Sequence, residues 1–154
     1  MLRSWRIVRE ARETDAFTGE GARQFGGRWN SAGRAMVYTS EHSSLAALEI
    51  LVHLTPRPDW RFKVFRVQFG EELVERIGLE VLAGDWRISP PPASTRDLGD
   101  RWIREQRSAV LAVPSAIVPV ETSYLLNPAH PDFFRIRIDP SQDFAFDPRL
   151  LGVA

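Results

Sequence analysis

The C-terminal half of this chain is divided into short apolar runs, each closed almost at once. AVLAV ends at Pro114, AIVPV at Glu121 and SYLLN at Pro128, with FFRIRI and DFAF close behind. Runs of this kind suit strands better than helices. In FFRIRI, Phe134, Ile136 and Ile138 alternate with Arg135 and Arg137, the pattern of a strand with one wet face. The second half is therefore expected to be rich in sheet.

The first half mixes both element types. WRIVR, from Trp5, opens as a strand, and a polar, glycine-containing loop follows from about Thr14 to Gly33. A loop of that length is usually functional or mobile. AMVYT, 35–39, reads as a buried strand. Ser43 or Ser44 then caps a helix carrying LAALEILVHL, which must stop near Thr55 because Pro56 follows. FKVFRVQF, 62–69, puts Phe65, Val67 and Phe69 on one face of a strand. ISPPPAS is a stiff connector, and Asp97 to Arg107 looks helical. Strands and helices do not alternate regularly, so the fold class is α+β rather than a doubly wound sheet. At 154 residues, the chain makes one domain, 1–154, with the last few residues as a tail.

Composition narrows the function classes. Apolar residues make up 44% and charged residues 26%, the mix of an ordinary globular protein. The formal net charge of +0 supplies no field to draw the chain onto nucleic acid, so no direct nucleic-acid binding is expected. With no cysteine, disulfides, thiolate catalysis and Cys-based zinc sites all fall away. The start MLRSWRIVRE has no apolar signal core, and no run is long enough to span a bilayer, so a cytoplasmic protein is the default. Of the 20 Lys+Arg only Lys63 is a lysine, which fits either composition bias or phosphate recognition by arginine forks.

Familiar motifs are missing. The glycines of GEGARQFGGRW match neither GxGxxG nor a P-loop. His42, His53 and His130 have no metal-ligand spacing, so no metal is expected, and Ser115 lies outside any G-x-S-x-G. Glu49 is more informative because its helix is apolar nearly all round. It is either the one wet stripe or a carboxylate held at the core's edge, where desolvation prepares it for chemistry. Arg28, directly after Gly26 and Gly27, is either a solvated loop residue or a fork for a diphosphate that the glycines let approach. Trp29 and Tyr38 could equally be core aromatics.

In combination these pieces resemble the RES domain, the toxin half of Xre-RES toxin–antitoxin modules. The resemblance rests on Arg28 in GGRWNSAG, Tyr38 in VYTS, Glu49 in SLAALEILVH and Ser115 in VPSAIVP, with WRIVR, LGDRWI and ETSYLLNPAHPDF extending it over nearly the whole chain. One departure is Ser123, where the family often has asparagine. The resemblance implies an ADP-ribosyltransferase-like fold, with a mainly antiparallel split sheet flanked by helices. NAD is then the substrate and no separate cofactor is needed. It implies an enzyme that depletes NAD by cleaving the nicotinamide–ribose bond. The alternatives are a transferase that ADP-ribosylates a cellular protein and an NAD phosphorylase, and outside enzymes a binding module with a degenerate site. Arg28, Glu49, Tyr38 and Ser115 are the implied catalytic set. Glu49 stabilises the ribosyl cation, Arg28 binds the diphosphate, Tyr38 stacks on nicotinamide, and Ser115 orients Glu49 or a substrate hydroxyl. Arg6, Trp29, Asn30 and Thr39 join Arg28 and Tyr38 in holding NAD. The implied partners are a cognate Xre-family antitoxin and a second copy of the chain.

Overall fold

The computed structural model describes residues 1–152, and the extreme C-terminal pair, part of the expected tail, lies outside them. The alternating runs build eight strands in one sheet: β1 (Leu2–Arg9), β2 (Val37–Ser40), β3 (Phe62–Phe69), β4 (Val74–Arg76), β5 (Val110–Pro114), β6 (Thr122–Leu126), β7 (Arg137–Ile138) and β8 (Gln142–Phe144). Their order is β4-β5-β6-β2-β1-β3-β7, with β8 also pairing to β3. Every pairing is antiparallel except β4 with β5, so the α+β class holds and the sheet is mixed through that one parallel pair.

The sheet has a weak seam. β1 and β3 pair along their whole length, from Leu2 opposite Phe69 to Arg9 opposite Phe62. β1 and β2, by contrast, meet only where Trp5 faces Ser40. Two halves result, β4-β5-β6-β2 on one side and β1-β3 with β7 and β8 on the other.

Each half carries its own helix. Successive residues of β5 point to opposite faces, so Val110 and Ala112 join one core cluster while Leu111 and Val113 join another. On the second face α3 (Ala93–Glu105) buries Trp102 completely against Leu111, Val113 and Leu125. Across the seam, α2 (Ser43–His53) lays Ala46 against Ile7, Phe62 and Phe146. Its N-cap is His42, and neither expected serine caps it through a side-chain bond.

Some expected elements are absent or shorter. Within the expected 14–33 loop the chain forms a six-residue helix, α1 (Glu20–Phe25), bounded by Gly19 and Gly26, both at positive φ. FFRIRI does not extend as a strand. Phe133–Arg135 is a 3-10 turn, only Arg137 and Ile138 pair, and Phe134 is 81% exposed instead of facing inward. AIVPV forms a turn that leaves Val120 almost fully exposed.

One contact fixes α3 against the loop leading to β2. A Cβ added at Gly99 would lie 1.7 Å from the Trp29 carbonyl oxygen, a backbone atom that cannot yield. Gly99→Ala is therefore expected to destabilise the protein by about 3 kcal/mol through overpacking. Thermal denaturation checks this, and a Tm equal to that of the wild type would contradict the packing described.

Candidate active site

The loop between α1 and β2 is built around a phenol. The Tyr38 hydroxyl donates to Asn30 Oδ1 at 2.6 Å and accepts from the Trp29 backbone N–H at 3.0 Å. Burial raises its pKa well above the ordinary tyrosine value, so the group stays protonated as a donor. Gly27 makes room for it, since a Cβ there would lie 2.6 Å from the hydroxyl oxygen. The close approach expected of a ligand at this glycine is therefore made first by Tyr38.

Asn30 completes the loop. Its side chain is fully buried, and Nδ2 donates to the carbonyls of Ala22, Ser31 and Arg34 at 2.8, 3.1 and 3.1 Å. α3 holds the same loop from behind. Thr95 Oγ1 donates to the Arg28 carbonyl at 2.6 Å, and Asp100 accepts from Ser31 N and Ser31 Oγ at 2.8 and 2.5 Å.

This frame projects Arg28 from the loop. Its Nη1 donates to the carbonyl oxygens of Trp86 and Ile88 at 3.0 and 2.8 Å, while Nε and Nη2 have no hydrogen-bond partner among the described residues. Desolvation lowers the pKa of the guanidinium, opposed by the charge of Glu49 and reinforced by Arg87. Glu49 thus lies within electrostatic reach of Arg28, although it comes from α2 and the other half of the sheet. It is neither a fully wet stripe nor a buried acid, with a side chain 36% exposed.

His53, one turn further along α2, has no metal-ligand spacing in the sequence, yet it belongs to this group. Its Nε2 stands a loose 3.7 Å from Glu49 Oε2. The nearby Glu49 carboxylate raises its pKa, against burial and Arg28, which lower it. The signal was available as an i,i+4 pair on one helix. Together with Gly26, Gly27, Pro90, Pro91 and Arg96, His53 lines an open groove of about 470 Å³.

The other expected site residues have different surroundings. Trp29 is a core residue, 3% exposed and packed with Met36 and Trp102. Thr39 Oγ1, also buried, is bonded to Ser4 Oγ and the Tyr124 carbonyl at 2.7 Å each. With Asn30, whose amide is spent on the loop, these two frame the site instead of offering free groups to a dinucleotide. Arg6 donates through Nε to the Ala16 carbonyl and through Nη1 to the Tyr38 carbonyl, at 2.7 and 2.9 Å. Burial lowers its pKa to about 10, with Asp15 opposing. It braces β2 beneath Tyr38.

Ser115 closes a turn just after β5. Fully buried at the end of β5, its Oγ accepts from the backbone N–H groups of Ile117 and Val118, both at 3.1 Å, and no bond joins it to Glu49 among the described residues. The next carbonyl, of Ala116, accepts from Arg87 Nε at 2.9 Å, and Arg87 is the cation that acts on Arg28.

Elsewhere, Glu41, His42 and Glu121 gather near the start of α2 closely enough to share a cation. His42 Nδ1 is 2.6 Å from Glu121 Oε1, and Glu41 is spent on the Thr122 N–H. No helix among the described residues is long and apolar enough to cross a membrane.

The RES domain family profile matches residues 3–147, and the chain belongs to that family. It is 38% identical over 149 residues to "Toxin Res" of Yersinia enterocolitica, covering 95% of this chain and 97% of that one. "Prs ADP-ribosylating toxin" of a Sphingobium species is 38% identical over 157 residues, at 97% of each chain. "Toxin Res" of Photorhabdus laumondii is 35% identical over 149 residues, at 96% of each.

The Glu49–His53 pair carries a pH signature. Because the folded pKa of His53 is raised, the pair's stabilisation is complete below about pH 6.5, the unfolded value. It is lost as pH rises through the folded pKa. An NMR titration of the His53 ring is expected to give a midpoint above about 6.5. In Glu49→Gln the midpoint should return towards that value, and an unmoved midpoint would contradict the pairing.

Proposed function

We propose that this chain is the toxin of a toxin–antitoxin pair and that it consumes NAD by breaking the bond between nicotinamide and ribose. The observation that carries the reading is the half-engaged Arg28 fork, whose Nη1 alone is held by the Trp86 and Ile88 carbonyls, in a chain of the RES family that also carries Glu49 within electrostatic reach of it. Toxin names among relatives alike over nearly their whole length support the biological role.

The chemistry asks little more of the protein. As the ribose C1′–N bond breaks, its electron pair goes to the pyridinium nitrogen and nicotinamide leaves neutral, so no general acid is needed. Positive charge develops on the ribose, as in the oxocarbenium-like transition state of glycoside cleavage. Glu49 stabilises that charge, and the free N–H groups of Arg28 bind the diphosphate. Tyr38, its hydroxyl committed to the loop, offers its ring face to the cationic nicotinamide. Water then adds to C1′ and loses a proton to solvent, giving free ADP-ribose.

A second reading is ADP-ribosyl transfer to a protein, favoured by the name of the Sphingobium relative, an ADP-ribosylating toxin. It keeps every role above and replaces water by a side chain of the target, as phosphate would replace it in a phosphorylase. In either case a cognate Xre-type antitoxin holds the toxin inactive.

Glu49→Gln is expected to lower nicotinamide release from NAD by at least about 100-fold, the scale of losing one charge-stabilising group. Circular dichroism should show an unchanged fold. Release within about tenfold of wild type, in a folded variant, would remove Glu49 from the mechanism.

A further inference from the structure

The open groove and the Glu49 carboxylate are linked through His53. The imidazole lines the groove with Gly26, Gly27, Pro90, Pro91 and Arg96, while its Nε2 stands 3.7 Å from Glu49 Oε2. A small molecule in the groove is thus within reach of a ring that in turn reaches Glu49.

Stability alone does not call for histidine at this position. The 3.7 Å separation is longer than a hydrogen bond, and the His53 side chain is 74% exposed, so the pair contributes little to the fold. His53 also ends α2, where a cation suits the helix dipole, but lysine or arginine would serve that purpose equally. What histidine adds is a nitrogen that can take up and release a proton near neutral pH. Nε2 is turned to Glu49, and Nδ1 makes no hydrogen bond among the described residues. Glu49 of the same helix favours the protonated ring, Arg28 of the loop before β2 opposes it, and Arg96 of α3 lines the same groove.

Resting on the reading of Glu49 as the group that stabilises the ribosyl cation, we propose that His53 is a further catalytic residue, the base that takes the acceptor's proton during attack on C1′. A ring this close to Glu49 is within one water's reach of the atom that attacks beside it. The acceptor O–H bond breaks as the O–C1′ bond forms, the proton goes to Nδ1, and the exposed side chain returns it to solvent. The acceptor class follows from this role. Water or a hydroxyl group gains from such a base, whereas a phosphate dianion attacks without one.

The test measures nicotinamide release from NAD in phosphate-free buffer over about pH 5.5 to 8.5 for wild type, His53→Gln, His53→Lys and His53→Ala. Thermal denaturation accompanies each protein. Wild-type kcat is expected to rise with pH as His53 loses its proton, because only the neutral ring accepts one. In His53→Gln, kcat should fall about 100-fold with KM little changed, and the pH dependence should flatten. His53→Lys keeps a cation beside Glu49 and at the helix end, so it should keep the wild-type Tm and still turn over slowly. Added imidazole should restore part of the turnover of His53→Ala.

A folded His53→Gln that matches or exceeds wild type would overturn the inference, as would a pH profile left unchanged by the substitution. Wild-type turnover in His53→Lys would make the residue a structural cation, and failure of imidazole to raise His53→Ala would also count against a base. In each of these cases nicotinamide release by wild type leaves the role of Glu49 standing. Folded wild type that releases no nicotinamide would remove that reading, and the base with it.

Discussion

The hydroxyl of Tyr38 joins two parts of the chain that would otherwise have no fixed relation. It ties strand β2 to the loop before it through Asn30 Oδ1 and the Trp29 N–H. Gly27 is the residue that lets the ring come close enough. An intramolecular hydrogen bond is worth only about 1 kcal/mol net, but leaving a buried partner unpaired costs more. The arrangement is therefore specific even though each bond is modest. Arg28 inherits its position from this lock on one side and from Thr95 on the other.

The seam in the sheet decides which residues can meet. Because β1 and β2 share a single residue pair, the chain crosses from one half to the other through the turn that begins α2. Arg28 is fixed to the half covered by α3, and Glu49 and His53 come from the helix covering the other. The groove is lined from both halves, by His53 of α2 on one side and by Gly26, Gly27 and Arg96 on the other, so its walls are assembled by the fold and not by any one loop. The separation also limits direct neutralisation. Arg28 is anchored on carbonyl oxygens and feels Glu49 at a distance, leaving part of its fork for an anion.

Where packing is local and alternating, the sequence is readable. The boundaries Phe62–Phe69 follow directly from its period-two pattern, and the α2 helix ends where Pro56 requires it to. The same pattern misleads in FFRIRI, where the chain turns at Phe133–Arg135 and only the last two residues pair. AIVPV is apolar but belongs to the turn organised by Ser115 Oγ, so hydrophobicity there signals no strand. Arg28 and Glu49 stand out as motif residues, yet their proximity depends on a sheet order that periodicity does not encode. LGDRWI is visible as a motif, but the tasks of Gly99 against the Trp29 carbonyl and Asp100 against Ser31 involve partners about seventy residues away. Trp29, Asn30 and Thr39 share the motifs of the site while serving its frame, a distinction that only burial and bonding reveal.

The most direct measurement of the central claim follows the fate of NAD with purified, antitoxin-free wild-type protein, separating nicotinamide, ADP-ribose, ADP-ribose 1″-phosphate and ADP-ribosylated protein in one chromatographic run. The account predicts one nicotinamide released for each NAD lost, with the remainder recovered as free ADP-ribose. Recovery on a protein or on phosphate would change the acceptor and leave the bond cleavage intact. NAD that remains whole in the presence of folded protein, with phosphate and a cell extract supplied as acceptors, would contradict the account.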